Sequence, residues 1–328
     1  MITSVLLTHS AGKAAATNAD ITLALLNDLQ QRSLLLIDEN VSRQFLESIV
    51  AWGNDAKIAH ARKLIALLST SGAIRAPSAL TETTKCECGS SNTAHADVIV
   101  RGCDGCELAP SVTLSDWPMR GPDHLRAQSY EIEEGSPVRE LLDQVLLPLT
   151  RYATAIAVTD RYLATSVAGR ESRLAPSQQL GLSMLLHAIA IGGNVQRFSI
   201  VSGLQESTGN RLFPEQKYLE HIAQQLLGLI VQSWRALKAD WQPEIDVTIY
   251  SEKSWKQLHE RSLSTNLGEI AIDNGIDWVS SRTERCEPRV FTLRKPVFRR
   301  YSGLTGTAHS PSSRGVAIER MVDRAESR

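Results

Sequence analysis

Several things are missing or scarce in this sequence. No run of apolar residues reaches the roughly 20 needed for a membrane-crossing helix, so none is expected. No charge of one sign prevails: 35 Lys and Arg stand against 36 Asp and Glu, a net charge of −1. That excludes a chain-wide electrostatic coat for nucleic acid, although it leaves room for a local basic patch. The opening residues, MITSVLLTHSAGK, put no basic stretch before their short apolar run. A secretory signal is therefore not expected, and the cytoplasm is the expected location. Internal repeats and long low-complexity stretches are also lacking. Cysteine is scarce, at five residues in all, but four of the five stand close together. In a chain of this length that pattern reads as a metal site and not as a disulfide framework.

What is present suits a globular protein. The chain has 328 residues, 42% of them apolar, which is two domains' worth of material. The expected fold class is α/β. Residues 1–77 alternate strand and helix patterns: strands over 4–8 and 34–37, helices over 20–31, 41–52 and 56–68. Residues 78–137 turn to Thr, Ser, Gly, Cys and Asp, with one strand expected over 97–101. Residues 138–304 return to α/β order. Helices are expected over 138–149, 177–191 and 214–238, and strands over 153–158, 197–201, 245–249, 267–272 and 289–293. The Ser- and Gly-rich tail, 305–328, is expected to fray.

Cys86-x-Cys88 and Cys103-x-x-Cys106 are two close pairs separated by 14 residues. Four thiolates on tight turns suit a tetrahedral structural Zn²⁺ and leave no open coordination position for catalysis. Gly89, Gly102 and Gly105 suit the turns. A zinc-ribbon-like module follows, with residues 97–101 as a ribbon strand between the pairs.

The segment from Gln257 to Trp278 carries the most chemistry. It reads as a strand bearing His259 and Arg261, a turn at Asn266, a returning strand, and a Gly275 turn leading to Asp277. On a strand, residues two apart share a face, so His259 and Arg261 would point into one site. An imidazole beside a guanidinium can read a phosphate. The plainer alternative is a pair of surface residues on an edge strand.

The order His259-x-Arg261-x4-Asn266, a returning strand, then Asn274-Gly275-Ile276-Asp277 resembles a variant of the phospholipase D signature, His-x-Lys-x4-Asp. It is closer to the phospholipase-D-like domain at the C-terminus of MIT-domain proteins and to its prokaryotic relatives. Thr159-Asp160-Arg161-Tyr162 matches that family's early strand ending in Asp-x-Tyr, and Ser199 to Ser202 matches its middle strand. The resemblance covers about residues 150–304. It implies an α/β/α domain with Asp160, Tyr162, His259, Arg261, Asn266 and Asp277 at its site. It also implies recognition of phosphate in nucleic acid or anionic phospholipid. Two departures stand out: Arg261 replaces Lys, and Asn266 replaces Asp. With one His motif per chain, a phosphodiesterase or nuclease site of this type would need a homodimer. A role in a bacterial defence system, with an ATPase partner, is a further expectation.

Two other clusters carry chemistry of their own. Asp20, Asp38 and Glu39 resemble the acidic metal site of PIN-type nucleases, although solvated or capping carboxylates are commoner. Arg289, Arg294, Lys295, Arg299 and Arg300 interleave with Phe291, Phe298 and Tyr301. That basic-aromatic pattern suits a phosphate backbone or an anionic membrane, or else a solvated edge strand.

Overall fold

A computed structural model describes residues 3–70, 73–75, 96–102, 111–125, 129–169, 172–204, 215–239, 241, 243–251, 261–272, 275–294 and 315–321. The chain is mixed α/β with two sheets, and it divides into two compact units, Met1–Gln128 and Ser129–Arg328.

The first unit runs β1 (Thr3–Leu7), α1 (His9–Ala14), α2 (Ala19–Arg32), β2 (Ser33–Leu36), α3 (Glu39–Val50), α4 (Asp55–Thr70), β3 (Ile74–Arg75), β4 (Val98–Arg101), β5 (Ser111–Thr113) and α5 (Trp117–Arg120). Its five strands are all parallel, in the order β3-β2-β1-β4-β5. Every residue of β1 and β2 is buried, as expected of parallel strands covered on both faces. Helix packing supplies the cover, with Leu25, Leu29, Phe45, Ile49, Leu64 and Trp117 in the core. Trp117 is fully buried, and its indole N–H donates to Asp28 Oδ2 at 2.9 Å.

The strand expected at residues 97–101 exists, but it does not form a ribbon between cysteine pairs. As β4 it lies between β1 and β5 in the parallel sheet. Its Val-Ile-Val run is apolar on both faces, which suits a sheet interior better than a small ribbon.

The second unit runs β6 (Ser129–Ile132), α6 (Val138–Leu141), a π-helical turn (Leu142–Leu146), α7 (Leu147–Thr150), β7 (Ala155–Asp160), α8 (Leu163–Val167), α9 (Pro176–Gly192), β8 (Arg197–Leu204), α10 (Glu215–Ala236), β9 (Glu244–Ser251), β10 (Ser262–Thr265), β11 (Glu269–Ala271), β12 (Arg289–Arg294) and β13 (Gly315–Met321). The expected helix over 138–149 is present, with a π-helical turn in its middle. Pro148 has no N–H to give to the preceding turn, and the π-turn accommodates the missing bond.

The eight strands lie in the order β13-β9-β8-β7-β10-β11-β12-β6. β7, β8 and β9 are parallel, and the remaining pairings are antiparallel. The crossovers from β7 to β8 and from β8 to β9 step in one direction. Right-handed crossovers then place α8, α9 and α10 on one face of the sheet. That face carries Ile156, Val158, Phe198, Ile200, Ile245, Val247, Ile249, Leu263 and Ile270, all buried. Each contributes about 1.5–3 kcal/mol by leaving water. The tail differs from expectation: residues 315–321 pair with β9 from Glu244 to Tyr250.

Candidate functional site

Asp160 ends β7, where the parallel strands present their carboxyl ends. It is 1% exposed. Its carboxylate accepts two backbone N–H bonds, from Tyr162 at 2.8 Å and from Ile276 at 2.9 Å. Its carbonyl accepts from Ser202 Oγ on the neighbouring β8 at 2.6 Å, and Ser202 Oγ in turn accepts from Ala164 N at 2.9 Å. This small network ties the start of α8 to two strand ends.

Gly275 makes the arrangement sterically feasible. Its φ is +86°, and a Cβ there would overlap the Asp160 carboxylate. Only glycine lets the chain turn over the acid so closely. Burial pushes the Asp160 carboxyl up from its ordinary value. The N–H bonds from Tyr162 and Ile276 and the charge of Arg261 pull it back, and the charge of Asp277 adds to the rise.

Arg261 immediately precedes β10. Ser262 pairs with Thr159, so Arg261 stands beside Asp160 across the strands. The Arg261 guanidinium lies over the Tyr162 ring, 4.7 Å from its centre. Arg161 approaches the same ring at 5.7 Å. Two guanidinium groups on one phenol ring, next to a buried carboxylate, make a compact cationic site. Sequence reasoning missed Arg161 because it occupies the variable position of Asp-x-Tyr.

Asp277 follows Ile276, so its backbone adjoins the site. Its carboxylate faces Arg289, with Nη2 3.7 Å from Oδ1, and Arg289 Nη2 also donates to the Asp277 carbonyl at 3.3 Å. Arg289 therefore belongs to an inward ion pair and not to a solvated basic patch. Its neighbour Phe291 is 2% exposed. The side chain of Arg294, together with Lys295, Arg299 and Arg300, lies outside the described residues.

Asn266 does not join the group. Its Oδ1 accepts from Thr154 N at 2.9 Å, at the amino end of β7. The β7–β10 register puts Thr265 opposite Ile156, so Asn266 is separated from Asp160 by nearly the whole strand pair. Asn266 stands opposite Ala155, five residues from Asp160, and at about 3.3 Å per residue that is roughly 17 Å. Its chemistry is that of a strand-end cap, which corrects its expected place at the site. His259 lies outside the described residues, as do Cys86, Cys88, Cys103 and Cys106.

The acidic residues of the first unit have separate local roles. Asp20 pairs with Lys57 Nζ at 2.6 Å, and Asp38 caps α3 by accepting from Asn40 N at 2.8 Å. Among the described residues no group of three or more His, Cys, Asp or Glu is placed to hold a metal ion. At the carboxyl end of β1, Thr8 caps α1, and Ser10 Oγ accepts from Gly102 N at 3.0 Å.

No helix among the described residues is long and apolar enough to cross a membrane. No protein-family model matches the chain, and no curated protein matches it. The functional reading therefore rests on the residues themselves.

Proposed function

We propose that the second unit is a phospholipase-D-like phosphate-binding module that holds nucleic acid or anionic phospholipid through Arg261, with His259 as its partner in the grip. The observation that carries this reading is the Arg261–Tyr162–Asp160 group at the end of β7. Tyr162 holds the guanidinium over its ring, which leaves the planar edge for two phosphate oxygens. Asp160 gives the guanidinium a nearby opposite charge, and its own burial keeps it from competing with the ligand as an exposed carboxylate.

Binding is favoured over hydrolysis because the chain carries one His motif, where a phospholipase-D-type site needs two. Asn266, in the position of the family's Asp, holds the Thr154 backbone at the far end of the strand pair and takes no part in the site. In the same reading, Cys86, Cys88, Cys103 and Cys106 hold a structural zinc, to be checked by metal content before and after Cys103→Ser.

The test is an assay of binding and cleavage on purified chain, wild type beside His259→Ala and Arg261→Ala, with and without EDTA. The ligands are a single-stranded oligonucleotide and phosphatidylserine vesicles. The module reading expects binding that Arg261→Ala weakens, without cleavage. EDTA-resistant cleavage that His259→Ala abolishes would replace it with a dimeric metal-independent phosphodiesterase. Cleavage that EDTA stops and both variants spare would move the activity elsewhere in the chain.

A further inference from the structure

The end of β7 presents its charges unequally. Asp160 is buried, whereas Arg161, Tyr162 and Arg261 are each half-buried and reach solvent. The nearby Asp277 carboxylate is answered by Arg289. Both guanidinium groups stand against the Tyr162 ring, Arg261 at 4.7 Å and Arg161 at 5.7 Å from its centre, so they share one support. The backbone beneath each is pinned. Tyr162 N donates to Asp160 Oδ1 at 2.8 Å, which closes a turn around Arg161. Arg261 O accepts from Ile272 N at 2.9 Å, and the next residue, Ser262, pairs with Thr159. Two cations thus rise from fixed positions on neighbouring strands, with the one carboxylate between them sunk below the surface.

We propose that Arg161 is the second cation of the phosphate site, and that the pair makes the site selective for a phosphate monoester over a diester. The inference rests on the phosphate reading above and narrows it. A diester has two non-bridging oxygens, and the planar fork of one guanidinium takes both. A monoester has three terminal oxygens and a charge of about −1.5 to −2 at neutral pH. Arg261 alone would leave the third oxygen and the extra charge without a partner. Arg161 supplies donors and a positive charge for them, from the other approach to the same ring. The ligand chemistry is the monoester itself, which occurs at a phosphorylated nucleic-acid end and in a phosphatidic acid headgroup.

The test titrates the full chain with two pairs of ligands. One pair is a labelled thymidine trinucleotide with a 5′-phosphate and the same strand with a 5′-hydroxyl. The other is phosphatidylcholine vesicles containing phosphatidic acid or phosphatidylserine. Wild type should bind the monoester member of a pair about tenfold more tightly than its diester counterpart. Arg161→Ala and Arg161→Gln should remove that preference and change diester binding little. Arg261→Ala should weaken every ligand. Denaturant melts of both Arg161 variants beside the wild type separate a lost preference from a lost fold. A preference confined to the strands supports the proposal and assigns the site to a nucleic-acid end; one confined to the vesicles supports it and assigns the site to a lipid headgroup. Equal affinity within both pairs, or a preference that both Arg161 variants keep, would overturn the monoester site while sparing the phosphate reading. Binding indifferent to Arg261→Ala would overturn the phosphate reading itself.

Discussion

The two units place the same kind of location under different chemistry. Each has parallel strands whose carboxyl ends meet loops, the usual ligand position in α/β sheets. In the first unit the described polar groups there serve the fold. Thr8 caps a helix, Ser10 holds the Gly102 backbone, and Asp38 caps another helix. In the second unit the same location holds two guanidinium groups on one ring and a buried carboxylate, with a cavity adjoining Gly275. Topology supplies a place for a ligand in both units. The residues placed there make the difference between the two.

Substitutions sharpen this contrast, and the largest effect should come from Gly275→Ala. The added methyl meets the Asp160 carboxylate, and the left-handed backbone is strained as well. Denaturant melts should show destabilisation by about 3 kcal/mol or more. A variant that melts with the wild type would mean that the turn does not close over Asp160 as described.

Next comes Asp160→Asn. The amide keeps one acceptor and gives up the other, so one of two buried N–H groups goes unpaired, at about 1–2 kcal/mol. Its pH dependence carries a sign. A carboxyl whose value is raised on folding stabilises the native state fully below its ordinary value of 3.8, and that contribution is lost as pH rises through the folded value. The stability gap between the asparagine variant and the wild type should therefore narrow as pH rises above 3.8. A gap that widens would contradict burial as the dominant influence on this group.

In the first unit the expected effects are ordinary. Thr8→Ala should cost about 1 kcal/mol by removing a helix cap, and it should change no binding property. Asp20→Ala should be smaller still, about 0–0.5 kcal/mol, because its pair with Lys57 is 80% exposed on the acidic side. A marked drop in ligand binding in either variant would give the first unit a functional role.

Much of the fold could be read directly from local pattern. The 3.6-residue spacing of Leu219, Ile222, Leu226 and Ile230 predicts α10, and the apolar runs predict β1, β2 and β8. What local pattern does not encode is partnership. β4 looks the same whether it pairs in a ribbon or in a parallel sheet. β13 is hidden in a Ser- and Gly-rich tail because its stabilising partner is β9, 65 residues and more earlier in the chain. The site divides along the same line. Arg261 and Asp160 are recognisable by residue type and order, and antiparallel pairing brings them together. Asn266 occupies the right place in the motif, but its side chain is engaged by a backbone 112 residues away. Arg289 reads as part of a surface patch until Asp277 is seen opposite it.

The most direct test of the phosphate site is the salt dependence of binding, measured for wild type and Arg261→Ala with one single-stranded oligonucleotide. Removing one phosphate-neutralising cation should flatten the slope of log affinity against log salt by about 0.7. The account predicts weaker binding in the variant together with a slope flattened by about that amount. An unchanged affinity and slope would show that Arg261 does not touch phosphate.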